Sequence, residues 1–275
     1  MRLESVNFHL HKRCDSRCDF CFATFRDVTG QLTPDEARCL LDTLRAAGVE
    51  KLNFAGGEPT LHPYLGGLLA HARALGFTTS IVTNGARLAA LLDQHAGLLD
   101  WVGLSADSGD EATQLALGRG HGDHVARTLR HADLLRLAGV KVKLNTVVNA
   151  LNWREDMGAF VRRVHPARWK VFQALPMRGQ NEDAIDPLLI GPAEVAAFTE
   201  RHAVLAADGF APVVEDNDAM TGSYAMIDPL GRFFGNNTGA HVYSDPILEV
   251  GVGVALDQVG YSRDKYLARG GRYAW

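Results

Sequence analysis

From Val6 to Ala174, strand-like and helix-like runs alternate so regularly that few folds can accommodate the chain. Six short β-prone runs stand at Val6 to Leu10, Lys51 to Ala55, Phe77 to Thr83, Trp101 to Ser105, Lys141 to Val148 and Arg168 to Ala174. Between them lie helical patterns at Pro34 to Ala47, His62 to Leu75, Arg87 to Gly97, His124 to Ala138 and Trp153 to Val164. Thr33 and Pro34 form a start signal for the first helix, and glycines close several of them. Alternation of this kind predicts parallel strands joined by crossover helices, an α/β fold. Six units make an open, partial (β/α)6 barrel, whose sites gather at the C-terminal ends of the strands. After about Gln180 the rhythm changes. A helix is expected over Gly191 to Ala207, then short strands around Val213, Tyr224 to Ile227 and Arg232 to Phe234. Residues 1–180 are therefore read as the barrel and 181–275 as a C-terminal extension closing over it, within one structural unit.

A length of 275 residues suits one such domain. The net charge of -4 gives no reason to expect nucleic acid or an acidic membrane as partner. No apolar run is long enough to span a bilayer, and the opening residues do not read as a signal peptide. A cytoplasmic location is expected. Four cysteines are too few for a disulfide scaffold.

Three of those cysteines crowd into Arg13 to Phe22, RCDSRCDFCF, as Cys14, Cys18 and Cys21. Short thiolate spacings let one loop wrap an iron–sulfur cluster. Three ligands, unlike the four of electron carriers, leave one iron open. The competing reading is zinc, with His9 or His11 as fourth ligand. Cys39 lies mid-helix and is expected in the core.

The C-x3-C-x2-C spacing with Phe20 before the last cysteine resembles the signature of radical SAM enzymes. The resemblance implies one 4Fe-4S cluster on Cys14, Cys18 and Cys21, with S-adenosyl-L-methionine (SAM) on its open iron, and release of a 5′-deoxyadenosyl radical. Gly56, Gly57 and Glu58 follow the second strand, where glycines admit a close ligand and a carboxylate can receive an ammonium group. They resemble the motif that holds the methionine amino group. Thr83, Asn84 and Ser105 end the third and fourth strands, placing them as cofactor contacts or plain turn residues. Arg119, between two glycines, is a candidate for the methionine carboxylate or ribose.

Strand polarity gives a separate clue. Parallel strands covered on both faces should read apolar throughout. Instead Lys51 and Asn53, Lys143 and Asn145, and Arg168 and Lys170 each share one face of their strand, because side chains alternate with period two. Four cations pointing into a barrel need an anion, and a triphosphate suits them. The alternative leaves Lys51, Lys143 and Arg168 in solvent at the barrel bottom. Arg269, Gly270, Gly271 and Arg272 suit a phosphate or ribose lid, or else a basic tail. Tyr224 is read as a strand tyrosine near the polar cluster.

Longer stretches, notably VNFHLHKRCDSRCDFCF, KLNTVVNALNWREDM, PARWKVFQALPMRGQNEDA, SYAMIDPLGRFF and YLARGGRYAW, resemble the viperin-like nucleotide dehydratases nearly end to end. That family abstracts the 4′ hydrogen of a ribonucleoside triphosphate, expels the 3′ hydroxyl as water and yields a 3′-deoxy-3′,4′-didehydro nucleotide, an antiviral chain terminator. The resemblance implies CTP as favoured substrate, with UTP or GTP as alternatives. It places Lys51, Lys143, Arg168 and Lys170 on the triphosphate, Asn7, Asn53 and Asn145 on the ribose, and Tyr224 as proton donor to the leaving hydroxyl. The Arg269 to Arg272 segment would close over the nucleotide. A flavodoxin- or ferredoxin-type reductant and a monomeric state are expected. Two departures stand out. The membrane-anchoring helix of animal viperins has no counterpart before Val6, so no membrane partner is carried over, and Ala55 replaces a serine. The competing functions are a radical SAM enzyme acting on another phosphorylated substrate and a non-enzymatic metal-binding interaction protein.

Overall fold

A computed structural model describes residues 2–275. Its centre is one ten-stranded sheet in the order β10-β9-β8-β1-β2-β3-β4-β5-β6-β7. The strands are β1 (Ser5–His9), β2 (Lys51–Ala55), β3 (Thr78–Thr83), β4 (Trp101–Ser105), β5 (Lys141–Val148), β6 (Arg168–Gln173), β7 (Pro212–Glu215), β8 (Met226–Ile227), β9 (Arg232–Gly235) and β10 (Val242–Pro246). Neighbours from β8 through β1 to β7 run parallel, and β9 and β10 turn antiparallel. The two edge strands do not pair, so the sheet is an open, partial barrel.

Helices cover its outer face. Thr33 caps the first, Pro34–Ala46, in a reciprocal capping box with Glu36. That helix turns Ala37, Leu40, Leu41 and Leu44 inward, into one core with Val6, Phe8, Leu52 and Phe54. Each such leucine contributes about 1.5–3 kcal/mol by leaving water. Cys39 stands on the opposite side of the same helix and is exposed, not in the core as expected.

Other expectations shift locally. Pro59–Leu61 forms a 3-10 turn, and the helix after it begins only at Leu65. The helix expected from Trp153 starts at Gly158, because residues 149–156 form turns tied by Asn149, Asn152 and Asp156 side chains. The helix Glu111–Ala116 and the strand β10 were not expected. The rhythm read as ending near Gln180 continues once more, since helix Pro192–His202 leads into β7, parallel to β6. Tyr224 precedes β8 and does not stand on a strand.

Register settles which face the polar residues share. Asn7 lies beside Asn53, and Asn53 beside Ser80. Lys143 lies beside Arg168, and Asn145 between Ser105 and Lys170. All of these except Ser80 line a central cavity of about 340 Å³.

Candidate active site

One cavity holds both halves of the chemistry anticipated from the sequence. Cys14, Cys18 and Cys21 line it, and so do Lys51, Lys143, Arg168 and Lys170. The barrel-bottom alternative is thereby set aside.

The cysteine loop is held by backbone. Gly57 N–H donates to His11 O at 2.6 Å, Glu58 N–H to Arg13 O at 2.8 Å, and Arg17 N–H to Gly118 O at 3.1 Å. A Cβ on Gly57 would lie 2.2 Å from Arg13 O, and one on Gly118 would lie 2.1 Å from Arg17 O. Only glycine permits this approach. The Gly56–Gly57 pair therefore grips the loop as well as lining the cavity.

Glu58 is fully buried, and its carboxylate is nearly saturated. Oε1 accepts from Thr60 N–H, the Thr60 hydroxyl and the Thr83 hydroxyl, while Oε2 accepts from Asn84 N–H. Oε2 retains the only capacity for an incoming ammonium group. Asn84 Nδ2 donates to Asp15 Oδ1 at 2.7 Å and to Ser16 Oγ at 2.9 Å, tying the third strand's end to the cysteine loop. Ser105 lines the cavity, and its carbonyl meets His124 Nε2 at 2.7 Å.

Arg119 is buried and ion-paired with Asp107, which is itself fully buried. Its guanidinium lies 5.3 Å above the Phe20 ring. Asp107 was missed in the sequence, although it stands two residues beyond Ser105.

The other end of the cavity is cationic. Lys170 is ion-paired with Glu215 and donates to the Tyr224 hydroxyl at 2.7 Å. Tyr224 in turn donates to Glu215, and Arg269 Nη1 donates to the same carboxylate at 3.2 Å. Sequence reasoning therefore erred in leaving Lys170 unpaired. Glu215, on the edge strand β7, was not anticipated. Burial opposes its ionisation, but Lys170 and Arg269 outweigh that and hold its pKa below the usual range. Burial pushes the Tyr224 phenol up, keeping it protonated.

Among the described residues, Lys51, Lys143 and Arg168 have no carboxylate partner. Lys51 Nζ donates to the Tyr273 hydroxyl at 2.5 Å and lies 4.4 Å from the centre of that ring. Arg168 stacks 4.3 Å from the same ring and donates to Gly270 O at 2.8 Å. Trp275 and Trp101 flank Lys51 at 4.9 and 5.3 Å. Burial first, then Lys143, Arg168 and Lys170, drives the Lys51 pKa down to about 6. Burial and Arg168 lower Lys143 to about 8.

Between the two ends, Asn53 Nδ2 donates to Asn7 Oδ1 at 3.0 Å, and Ser80 Oγ donates to Asn53 Oδ1 at 2.8 Å. Asn145 Oδ1 is buried without a partner among the described residues. Of the terminal segment, Arg269, Gly270, Gly271 and Tyr273 line the cavity. Arg272 does not; it points out toward Glu4 at 3.7 Å.

The thiols suit a cluster better than a single ion. Among the described residues, no three His, Cys, Asp or Glu converge as one metal ion requires. Of the two candidate fourth ligands for zinc, His11 is hydrogen-bonded to Glu58 O at 2.8 Å, while His9, packed between Phe25 and Phe234, lines the cavity. Burial raises Cys14 to about 11 and Cys18 to about 12 in the metal-free protein. The loop is thus held in place by protein contacts, with its sulfurs facing the cavity.

Residues 9–164 match the family profile of the radical SAM superfamily. An S-adenosylmethionine-dependent nucleotide dehydratase from Lacinutrix mariniflava is 44% identical over all of this chain, which spans 59% of that protein's length. One of the same description from Flammeovirga pacifica is 42% identical over 99% of this chain and 96% of its own. The crystal structure of Streptococcus suis SuiB bound to S-adenosylmethionine superposes with a TM-score of 0.69 at 18% identity, covering 84% of this chain and 60% of SuiB. That likeness confirms the fold. Enzymes of the superfamily use a 4Fe-4S cluster and SAM, and the cysteine loop and the glycine pair beside it fit both. The chain belongs to the radical SAM superfamily and, within it, to the viperin-type S-adenosylmethionine-dependent nucleotide dehydratases.

Proposed function

We propose that this chain dehydrates a ribonucleoside triphosphate, CTP in preference to UTP or GTP, to its 3′-deoxy-3′,4′-didehydro form. One observation carries the reading. Lys51, Lys143, Arg168 and Lys170 face the same cavity as the cysteine loop, with the asparagines between them. A nucleotide with its phosphates among the cations and its ribose beside Asn7, Asn53 and Asn145 has the sugar toward the cysteines. Cys14, Cys18 and Cys21 would hold the cluster, which together with SAM would supply a 5′-deoxyadenosyl radical.

The chain's own residues then have three tasks. The cations fix the triphosphate, each charge-assisted contact being worth roughly 1.5–3 kcal/mol. The asparagines orient the ribose, with the free Asn145 Oδ1 as acceptor for a hydroxyl. Tyr224 serves as the proton source for the departing 3′ hydroxyl. Its phenol stays protonated, and the Lys170 ammonium, hydrogen-bonded to its oxygen, can restore the proton given up. Residues 1–180 would form the catalytic barrel and 181–275 its closing extension, with Arg269 to Gly271 against the nucleotide. A flavodoxin- or ferredoxin-type donor would supply the electrons, and the chain would act as a monomer in the cytoplasm. The antiviral role follows from the product's chemistry, since it lacks the 3′ hydroxyl that polymerases extend.

Anaerobically reconstituted protein, dithionite and SAM, supplied with CTP, UTP, GTP or ATP in turn, tests this. CTP should stimulate 5′-deoxyadenosine release most and give a product lighter than CTP by one molecule of water, identified by mass and NMR. Cofactor cleavage indifferent to all four would remove the nucleotide reading.

A further inference from the structure

An ion pair joins the foot of the sheet to the last helix of the chain. Glu4 immediately precedes β1, and its carbonyl accepts from Glu50 N–H and Lys51 N–H at 3.0 Å each. Its backbone is therefore fixed where β1 and β2 begin. The side chain is fully buried. Its Oε1 accepts from Arg263 Nη2 at 2.6 Å and lies 3.7 Å from both Arg2 Nε and Arg272 Nη1. Arg263 opens the helix Arg263–Ala268, which carries the terminal segment on its own carbonyls. Arg269 N–H donates to Lys265 O at 3.1 Å, Gly270 N–H to Leu267 O at 3.0 Å and Gly271 N–H to Tyr266 O at 2.8 Å. Gly271 also rests against the buried Tyr266 ring, where a Cβ would come within 2.4 Å of Cδ2. The position of this helix therefore sets that of Arg269, Gly270 and Gly271, all of which line the cavity.

We propose that Glu4 is a positioning residue: through Arg263 it holds the helix, and with it Arg269 to Gly271, in the place where that segment meets the substrate. The inference rests on the reading of Arg269 to Gly271 as the segment closing over the nucleotide. Arg2 has Glu50 as a second partner at 2.6 Å, whereas Glu4 is the only carboxylate within 4.0 Å of Arg263 and Arg272 among the described residues. Three arginines from the two ends of the chain thus converge on one carboxylate, and removing its charge sets like charges against one another. The helix also reaches Asp218 through Lys265, but that pair is exposed and screened by water. The Glu4 pair is sealed at its acid end and screened far less. Its hold comes from charge and not from saturated hydrogen bonding: Glu4 Oε2, Arg263 Nε and the Tyr266 hydroxyl are buried without a partner among the described residues.

Glu4→Gln keeps the shape of the side chain and removes its charge. In the reconstituted protein with SAM, KM for CTP should rise about tenfold at unchanged kcat, as expected when the correctly seated form falls to about a tenth of the population. Release of 5′-deoxyadenosine without nucleotide should stay at the wild-type level. Arg263→Gln should give the same rise in KM, and the double variant no more than either single one, since the two side chains act as a pair. The seat of the segment is read separately, without nucleotide or turnover, by trypsin cleavage after Arg269, whose side chain is buried. Followed by intact mass, that cleavage should be about tenfold faster in each single variant than in the wild type, because it tracks the unseated population. Cleavage at the wild-type rate, additive effects in the double variant, or faster cleavage with an unchanged KM would overturn the inference and leave the dehydratase intact. Faster cleavage in a protein that binds none of CTP, UTP and GTP would uphold the hold of Glu4 on the segment and remove the nucleotide reading instead.

Discussion

The two ends of the cavity differ in how far the protein satisfies them by itself. At the cysteine end nearly every polar group has a partner within the chain: Glu58 accepts four hydrogen bonds, Arg119 is paired with Asp107, and Asn84 is tied to the cysteine loop. At the cationic end Lys51, Lys143 and Arg168 crowd together without a carboxylate, and aromatic rings and one carbonyl serve in its place. The first end is a scaffold that stabilises itself. The second holds its charges at a cost to the fold, which a bound anion would offset. Strain of this kind gathers where function needs it.

The sharpest way to break the comparison is Cys18→Ala. It should reduce 5′-deoxyadenosine formation to background while leaving the cation cage and its affinity for CTP in place; persistent cleavage would dissociate the cysteine loop from the chemistry. Next, Lys170→Ala should raise KM for CTP roughly 10- to 100-fold, from a contact worth roughly 1.5–3 kcal/mol. A normal KM would remove the cage from substrate binding.

A subtler contrast comes from Lys51→Met, which should act in opposite directions on the two properties. KM for CTP should rise about tenfold, while the ligand-free protein gains about 1 kcal/mol, as is common when a strained functional residue is removed. The pH dependence fixes the sign. Unfolded Lys51 keeps its proton up to its ordinary pKa of about 10.4. Folded, it gives the proton up near 6. Between those values the unfolded chain binds more protons, so wild-type stability contributed by this residue rises with pH. Thermal melts from pH 6.5 to 9 should show that rise in the wild type and a flatter profile in the variant; parallel profiles would mean that Lys51 keeps its charge. The smallest effect is expected from Arg272→Ala. Its half-exposed side chain lies outside the cavity, 3.7 Å from the buried Glu4, whose Oε1 already accepts from Arg263 at 2.6 Å. KM should change less than about threefold, against a large rise for Arg269→Ala, although both arginines belong to one RGGR run.

These contrasts also show what a linear sequence can convey. The inward cations and asparagines were legible because they repeat with period two on strands whose outer faces are apolar. The cysteine loop was legible from spacing alone. Glu215 was not, because it sits on a four-residue edge strand whose pairing with β6 follows a long crossover. Its partners Lys170, Tyr224 and Arg269 are 45, 9 and 54 residues away along the chain, and only the fold brings them together. Tyr273 was overlooked for a related reason: in RGGRYAW the glycines and arginines advertise a lid, whereas the ring that fills the cage follows them. Cys39 was misplaced because mid-helix position was taken for burial, although 37, 40, 41 and 44 already define the buried stripe. Asp107 was within reach, sharing the parity of Ser105 just past the end of β4.

The aromatic floor of the cationic end makes the protein its own optical probe. Two of the four indoles, Trp101 and Trp275, lie within 5.3 Å of the Lys51 ammonium. Indole emission responds to nearby charge and to the polarity of its surroundings. Proton uptake by Lys51, or an anion drawing that ammonium away from the rings, will therefore register as a change in intrinsic fluorescence, and occupancy of the cage can be followed without label, radical chemistry or turnover.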